Sequence, residues 1–150
     1  MNRNILTGAL ALVLMTACSG DDEVNQVNLA VQAQQRWTQL DINDYTYEIK
    51  VACECLTEPH IRVVVEADTV ASAVHVENGA PVVAGQGLLQ PYTIDQYFDW
   101  IIDQLRSRPP QTSIEFDPEY YYPALFFIDT SGQLVDDELT YRITLFQPTP

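Results

Sequence analysis

Tyr45-Thr46-Tyr47-Glu48-Ile49-Lys50-Val51-Ala52-Cys53-Glu54-Cys55 alternates at every position. Tyr45, Tyr47, Ile49, Val51, Cys53 and Cys55 share one parity, and Thr46, Glu48, Lys50, Ala52 and Glu54 share the other. Side chains along a strand point to opposite faces in turn, so this period of two predicts a strand with one face in a core and one in water. Hairpin-length connections to the strands that follow make the sheet antiparallel, and such a sheet can be wet on one face. On this reading both cysteines point to the core side.

The pattern continues on either side. Leu56 to Pro59 make a turn, and Ile61, Val63 and Val65 then alternate with Arg62, Val64 and Glu66 in a second strand. Ala67-Asp68-Thr69 reads as a tight hairpin connection, after which Val70, Ser72, Val74 and Val76 form the inward side of a third strand. Residues 78–92 show no period and hold glycines and prolines, so they form a loop of a length that is often functional. Thr93 is a helix N-cap, and Gln96 three residues on completes a capping box. Ile94, Tyr97, Phe98, Ile101, Ile102 and Leu105 keep the helical spacing, and Pro109-Pro110 ends the helix. Three more strands follow, over 112–116, 123–129 and 139–146, with Asp117-Pro118-Glu119 as the first turn. Upstream, Leu29, Ala30, Ala33, Trp37 and Leu40 fall on one stripe of a helix over 24–40.

The predicted fold class is therefore α+β in two layers. An antiparallel sheet is covered on one face by helices, in the element order αβββαβββ. Residues 24–150 form a single globular domain. Each half is a helix followed by a three-stranded meander, and in layout it resembles the PepSY modules of secreted bacterial proteins.

The amino-terminal segment gives an address. Ile5 to Met15 is an apolar run too short to span a bilayer as a mature helix. With Leu14-Met15-Thr16-Ala17-Cys18 it resembles the signal of a bacterial lipoprotein. Residues 1–17 would be the signal peptide, and Cys18 would carry a diacylglyceryl group and an N-linked acyl chain such as palmitate. Residues 18–23, with Asp21-Asp22-Glu23, would be a short acidic tether. Ser19 resembles the residue that lets lipoproteins of diderm hosts pass to the outer membrane. The expected location is the cell membrane or outer membrane, with the domain on the exported, periplasmic or extracellular side. An ordinary signal peptide or a cytosolic apolar tail is the alternative.

The charge excludes some partners. The chain carries 7 basic and 21 acidic residues, a net charge of −14, and losing residues 1–17 removes only Arg3 from that set. So acidic a surface repels nucleic acid and anionic headgroups alike, so the lipid must hold the protein at the membrane. A hydrophobic content of 47% excludes wholesale disorder.

These residues are similar to an uncharacterised bacterial family, domain of unknown function 6174. The resemblance covers residues 35 to 146. It rests on Trp37, Tyr45-Thr46-Tyr47-Glu48, and Cys53-x-Cys55 ahead of Pro59 and Arg62-Val63. It continues with Thr93-Ile94-Asp95 opening a helix that bears Phe98, then Phe116-Asp117-Pro118-Glu119-Tyr120 with Tyr122-Pro123, and Asp136-Asp137-Glu138. Many members resemble lipoproteins. The family has a glycine between the last two tyrosines, where this chain has Tyr121. If that position needs a positive φ, a tyrosine there is strained. The resemblance implies no activity.

Candidate sites are few. Cys53 and Cys55 could be a disulfide, two free thiols, or part of a metal site with His60. In a regular strand the two are too far apart to bridge, so an oxidised pair must bend the chain where the Leu56–Pro59 turn begins. His60 and His75 take the outward parity and read as inert. Asp129, Asp136, Asp137 and Glu138 surround one connection and could take calcium, but their spacing is not that of an EF-hand loop. Trp100 lies far from the centre of the Ile94–Leu105 stripe, so it is expected to face away from the sheet, next to Tyr97. There the pair would be a partner-binding anchor unless the first helix or the 78–92 loop covers it. No nucleophile elbow, H-E-x-x-H, Walker A loop or dinucleotide fingerprint is present, and Gly85-Gln86-Gly87 does not open a helix after a strand. The expectation is a non-catalytic binding module of the envelope, with no cofactor, an envelope protein as its partner, and the membrane reached through a lipid anchor. The rivals are a calcium- or metal-responsive module and a hydrolase with an unfamiliar site.

Overall fold

The computed structural model describes residues 21–56, 58–134 and 137–149, with side chains from Asn25 onward. Cys18 and Asp136 lie outside the described residues, as do residues 1–17. The elements run α1 (Asp21–Gln39), β1 (Tyr45–Ala52), β2 (His60–Glu66), β3 (Thr69–His75), α2 (Ile94–Arg106), β4 (Gln111–Phe116), β5 (Pro123–Asp129) and β6 (Leu139–Pro148). The helix expected over 24–40 thus begins at Asp21, and residues 21–23 form its first turn.

The six strands form one antiparallel sheet in the order β3-β2-β1-β6-β5-β4. The second meander therefore continues the sheet in the same sense as the first, and the first and last strands meet at its centre.

The alternation of the opening stretch survives folding. Tyr45, Tyr47, Ile49 and Val51 are buried along β1, as are Ile61, Val63 and Val65 on β2. Trp37 of α1 reaches this face, with its ring edge-on to Tyr45 and Phe146. On α2, Ile94, Tyr97, Phe98, Ile101, Ile102 and Leu105 are all buried, and both arms of the Thr93–Gln96 capping box form.

Four expectations need correction. On α1 the buried stripe is Ala30, Ala33 and Trp37, while Leu29 and Leu40 are exposed. β1 ends at Ala52, so the cysteines do not both face the core: Cys53 is half-buried against it and Cys55 is exposed. In β3 a register shift opposite Val64 and Val65 leaves Ala71 unpaired. The parity flips there, as one extra residue in a strand must make it. Val70, Ala73 and His75 then lie on the core side, opposite Val65, Val63 and Ile61, while Ser72 and Val74 face outward. His75 is therefore not an outward histidine. Trp100, finally, does not face away from the sheet.

Two turns explain their sequences. Ala67 and Asp68 both take positive φ, 48° and 57°, the hand that suits a two-residue hairpin. The connection before β1 holds them there: Ala67 N donates to Asp44 Oδ1 at 3.0 Å and Asp68 N to the Asn43 carbonyl at 3.0 Å. Between β4 and β5, Asp117 Oδ1 accepts from the backbone of Glu119 and Tyr120 at 2.9 and 2.7 Å. This is why an aspartate opens that turn.

Candidate functional site

The 78–92 segment carries more structure than its lack of period shows. Its first part runs along the free edge of β3: His75 N donates to the Ala80 carbonyl at 2.8 Å, and Val82 N to the Ala73 carbonyl at 3.0 Å. Its second part is a loop closed on Gln90. The Gln90 side chain accepts from Gly85 N at 2.7 Å and donates to the Gly87 carbonyl at 3.1 Å. Gly85 and Gly87 both sit at φ 79°, a conformation a side chain would resist. The chain then turns inward, and Leu89 is 5% exposed and packed in the core.

Beneath this loop lies a cavity of about 210 Å³ between the loop, α2 and the core face of the sheet. Four tyrosines line it: Tyr47 from β1, Tyr92 from the loop, Tyr97 from α2 and Tyr141 from β6. Ile49, Trp100, Leu88, Leu89 and Gln90 add to the wall. Among the described residues no charged side chain lines it, in a chain of net charge −14.

The aromatic groups are ordered by one another. Tyr97 stacks on Trp100 with centroids 5.7 Å apart and planes 9° apart. Trp100 meets Tyr141 at 4.9 Å and Phe126 at 5.6 Å, both edge-on. Offset-stacked and edge-to-face pairs match the positive edge of one ring to the negative face of another. Trp100 is half-buried, and the flank of α2 that carries it overhangs β5 and β6. A six-stranded sheet is wide enough for a side chain well off the helix stripe to reach it. A helical wheel carries no information about the width of the surface beneath.

The hydroxyls differ in their partners. Tyr47 donates to the Tyr92 carbonyl at 2.6 Å. The Tyr97 hydroxyl is buried with no hydrogen-bond partner among the described residues, and the whole residue is 4% exposed. Burial pushes its pKa well up, and the neighbouring Tyr47 and Tyr141 phenols push it further. Burial also raises Tyr47 and Tyr141. All three are protonated near neutral pH, so the cavity presents hydroxyl donors and aromatic faces.

The sites singled out in the sequence fall elsewhere or change character. Tyr97 and Trp100 do come together, but as cavity wall instead of exposed anchor. Cys53 and Cys55 are paired as a disulfide, with Cα atoms 5.2 Å apart, where the chain leaves β1. His60 is outward as expected but not isolated, since Nε2 lies 3.3 Å from Glu48 Oε2 and 3.5 Å from Thr144 Oγ1. In the acidic connection, Asp129 Oδ1 accepts from Ser131 N and Gly132 N at 3.0 and 2.9 Å, and Asp137 Oδ2 accepts from Thr130 Oγ1 at 2.6 Å. Glu138 is exposed. Among the described residues no three His, Cys, Asp or Glu side chains converge to hold a metal ion.

Tyr47, Tyr92 and Tyr141 were not singled out as site residues. Tyr47 and Tyr141 read as core positions on strands, and only the length of the loop marked the place where they meet.

A family of unknown function, DUF6174, matches residues 29–148 of the chain, and the chain belongs to it. No curated protein matches it.

Proposed function

We propose that this DUF6174 member is a lipid-anchored envelope protein that works by binding, with the tyrosine-lined cavity as its site. The signal-like residues 1–17 and Cys18 support the anchor. No helix among the described residues is long and apolar enough to cross a membrane. The contacts of Trp37 and Trp100 with the sheet support a two-layer arrangement with both helices over one face, and the order of a helix and three strands in each half supports the PepSY-like layout.

The observation that carries the binding reading is the cavity. Ligand sites are concave and mostly apolar, with a few placed polar groups. Here the polar groups are tyrosine hydroxyls and the Gln90 amide, with no carboxylate, imidazole or thiol beside them among the described residues. Such a lining holds a molecule but offers no acid–base pair to transform it.

Two measurements test the proposal. Titration with 2-methylnaphthalene and with 2-acetylnaphthalene should shift the indole N–H resonance of Trp100 and leave that of Trp37 in place; no shift with either refutes the cavity. Intact mass of protein from the native envelope should show a chain acylated at Cys18, and Cys18→Ala should leave the membrane or stall in processing. A cleaved, unacylated chain refutes the anchor.

One observation favours the calcium reading as a second function. Asp137 Oδ1 is buried without a hydrogen-bond partner among the described residues. If a cation belongs there, calcium raises the unfolding temperature and a chelator lowers it. Unchanged melting with either removes that reading.

A further inference from the structure

The cavity also says what kind of molecule fits it, given the binding reading above. Three features bear on the choice. The first is charge. An ion entering an uncharged lining loses its hydration and gains no counter-ion. The 21 acidic residues elsewhere in the chain add long-range repulsion against anions in particular. The ligand is therefore neutral.

The second is shape. Of the lining rings, Trp100 and Tyr97 lie nearly parallel, 9° apart, and Tyr141 is held edge-on to the indole. Flat aromatic walls favour a flat ring. The volume is about 210 Å³. A dry cavity of roughly 150 Å³ holds benzene, so this one suits one ring or two fused rings.

The third is the Tyr97 hydroxyl. Its 4% exposure leaves it little contact with water, and no described residue accepts its proton. The Tyr47 hydroxyl has already spent its proton on the Tyr92 carbonyl. Tyr97 is thus a buried donor at the cavity wall without an acceptor among the described residues. An unmet buried donor is costly, and a ligand atom that accepts from it recovers that cost. A hydrocarbon of the same shape does not.

We infer that the cavity takes a neutral, flat molecule of one or two rings bearing an oxygen acceptor, such as a ring ketone, and that the Tyr97 hydroxyl donates to that oxygen.

The test uses the full chain in lipid nanodiscs, with empty discs to correct for partition into lipid. Three probes of one ring system are compared: 2-acetylnaphthalene, 2-methylnaphthalene and 2-naphthoate. The ketone is expected to bind about tenfold tighter than the hydrocarbon, as one well-made hydrogen bond allows. In Tyr97→Phe that ratio is expected to fall to about one, and the carboxylate is expected not to bind at the same concentrations. The C=O stretch of bound 2-acetylnaphthalene gives a reading that needs no variant, because a hydrogen bond lowers its frequency. A ratio unchanged in Tyr97→Phe, an unshifted C=O stretch, or naphthoate binding as well as the ketone would overturn the inference. If the hydrocarbon binds but the ketone gains nothing, the cavity stands as a site and only the assigned class fails. If none of the three binds, both fail.

Discussion

The indole Nε1 of Trp37 donates to Asp95 Oδ2 at 3.1 Å, tying α1 to the first turn of α2. Trp37 is 2% exposed, and its ring lies edge-on to Tyr45 and Phe146. Asp95 also sits where the α2 dipole favours a negative charge. Asp95→Ala removes both effects and leaves the indole N–H unpaired, so it is expected to destabilise by about 1–3 kcal/mol. Trp37→Phe keeps a ring in the core and removes the donor. A urea-unfolding cycle with both changes is expected to show coupling near 1 kcal/mol. Zero coupling would mean that the bond adds nothing to the joint between the helices.

Trp100→Ala tests the corrected position of that residue. Its ring contacts Tyr97, Phe126 and Tyr141, so truncation is expected to cost roughly 2–4 kcal/mol, somewhat less than for a fully buried tryptophan. The urea midpoint measures it. A change near zero would return Trp100 to the role of an exposed anchor.

Strand period and helix period carried most of the fold, because both are local. Tyr45 to Val51, Ile61 to Val65 and Ile94 to Leu105 fold with the faces their spacing implies. The misreadings arose where a distant element decides. A single unpaired residue, Ala71, reverses the faces of Ser72, Val74 and His75. The reach of Trp100 depends on β5 and β6, which follow it in the chain. The cavity is illegible for the same reason: its four tyrosines come from four separate parts of the chain, and no local spacing brings them together.

The Cys53–Cys55 disulfide closes a very short loop, so chain entropy gives it little, under about 2 kcal/mol. The turn it sits in has its own ties. Val51 N donates to the Pro59 carbonyl at 2.9 Å, and Lys50 pairs with Glu58 at 2.9 Å. Replacing both cysteines by serine is therefore expected to leave the fold intact and lower the urea midpoint slightly. Peptide mapping without reduction checks the bond itself, and two freely alkylated thiols in folded, unreduced protein would rule it out.

The buried phenols give a dependence on alkaline pH. Tyr122 is pushed up to about 12 by burial first and by Asp117 second. Burial raises Tyr45, Tyr47, Tyr97 and Tyr141 as well. In the unfolded chain a tyrosine ionises near 10. Below that pH both states hold the proton and stability is complete. Between about 10 and 12 the unfolded chain releases protons that the folded chain keeps, so stability falls as pH rises. Phenolate absorbance is expected to grow for these residues together with the loss of far-ultraviolet circular dichroism. Full ionisation near pH 10 with the dichroism intact would show that these phenols are not buried as described.

Tyr121 stands at φ 64°, in the position where the family resemblance has glycine. The left-handed conformation costs a residue with a β-carbon about 1–2 kcal/mol. Something must hold it, and two contacts do. Tyr121 N donates to the Asp117 carbonyl at 3.0 Å, which glycine would keep. The Arg36 guanidinium lies over the Tyr121 ring at 5.3 Å, which glycine would lose. A cation–π contact at an exposed site is worth roughly 0.5–1 kcal/mol, less than the strain. Glycine also loses more freedom on folding, by about 0.5–1 kcal/mol. These terms nearly cancel, so Tyr121→Gly alone is expected to change stability by less than about 1 kcal/mol. In an Arg36→Ala background the contact is already gone, and the same change is expected to be the more favourable there, by the worth of the contact. Unfolding midpoints of the four proteins in this cycle decide it. If Tyr121→Gly has the same effect in both backgrounds, Arg36 does not hold the tyrosine in place.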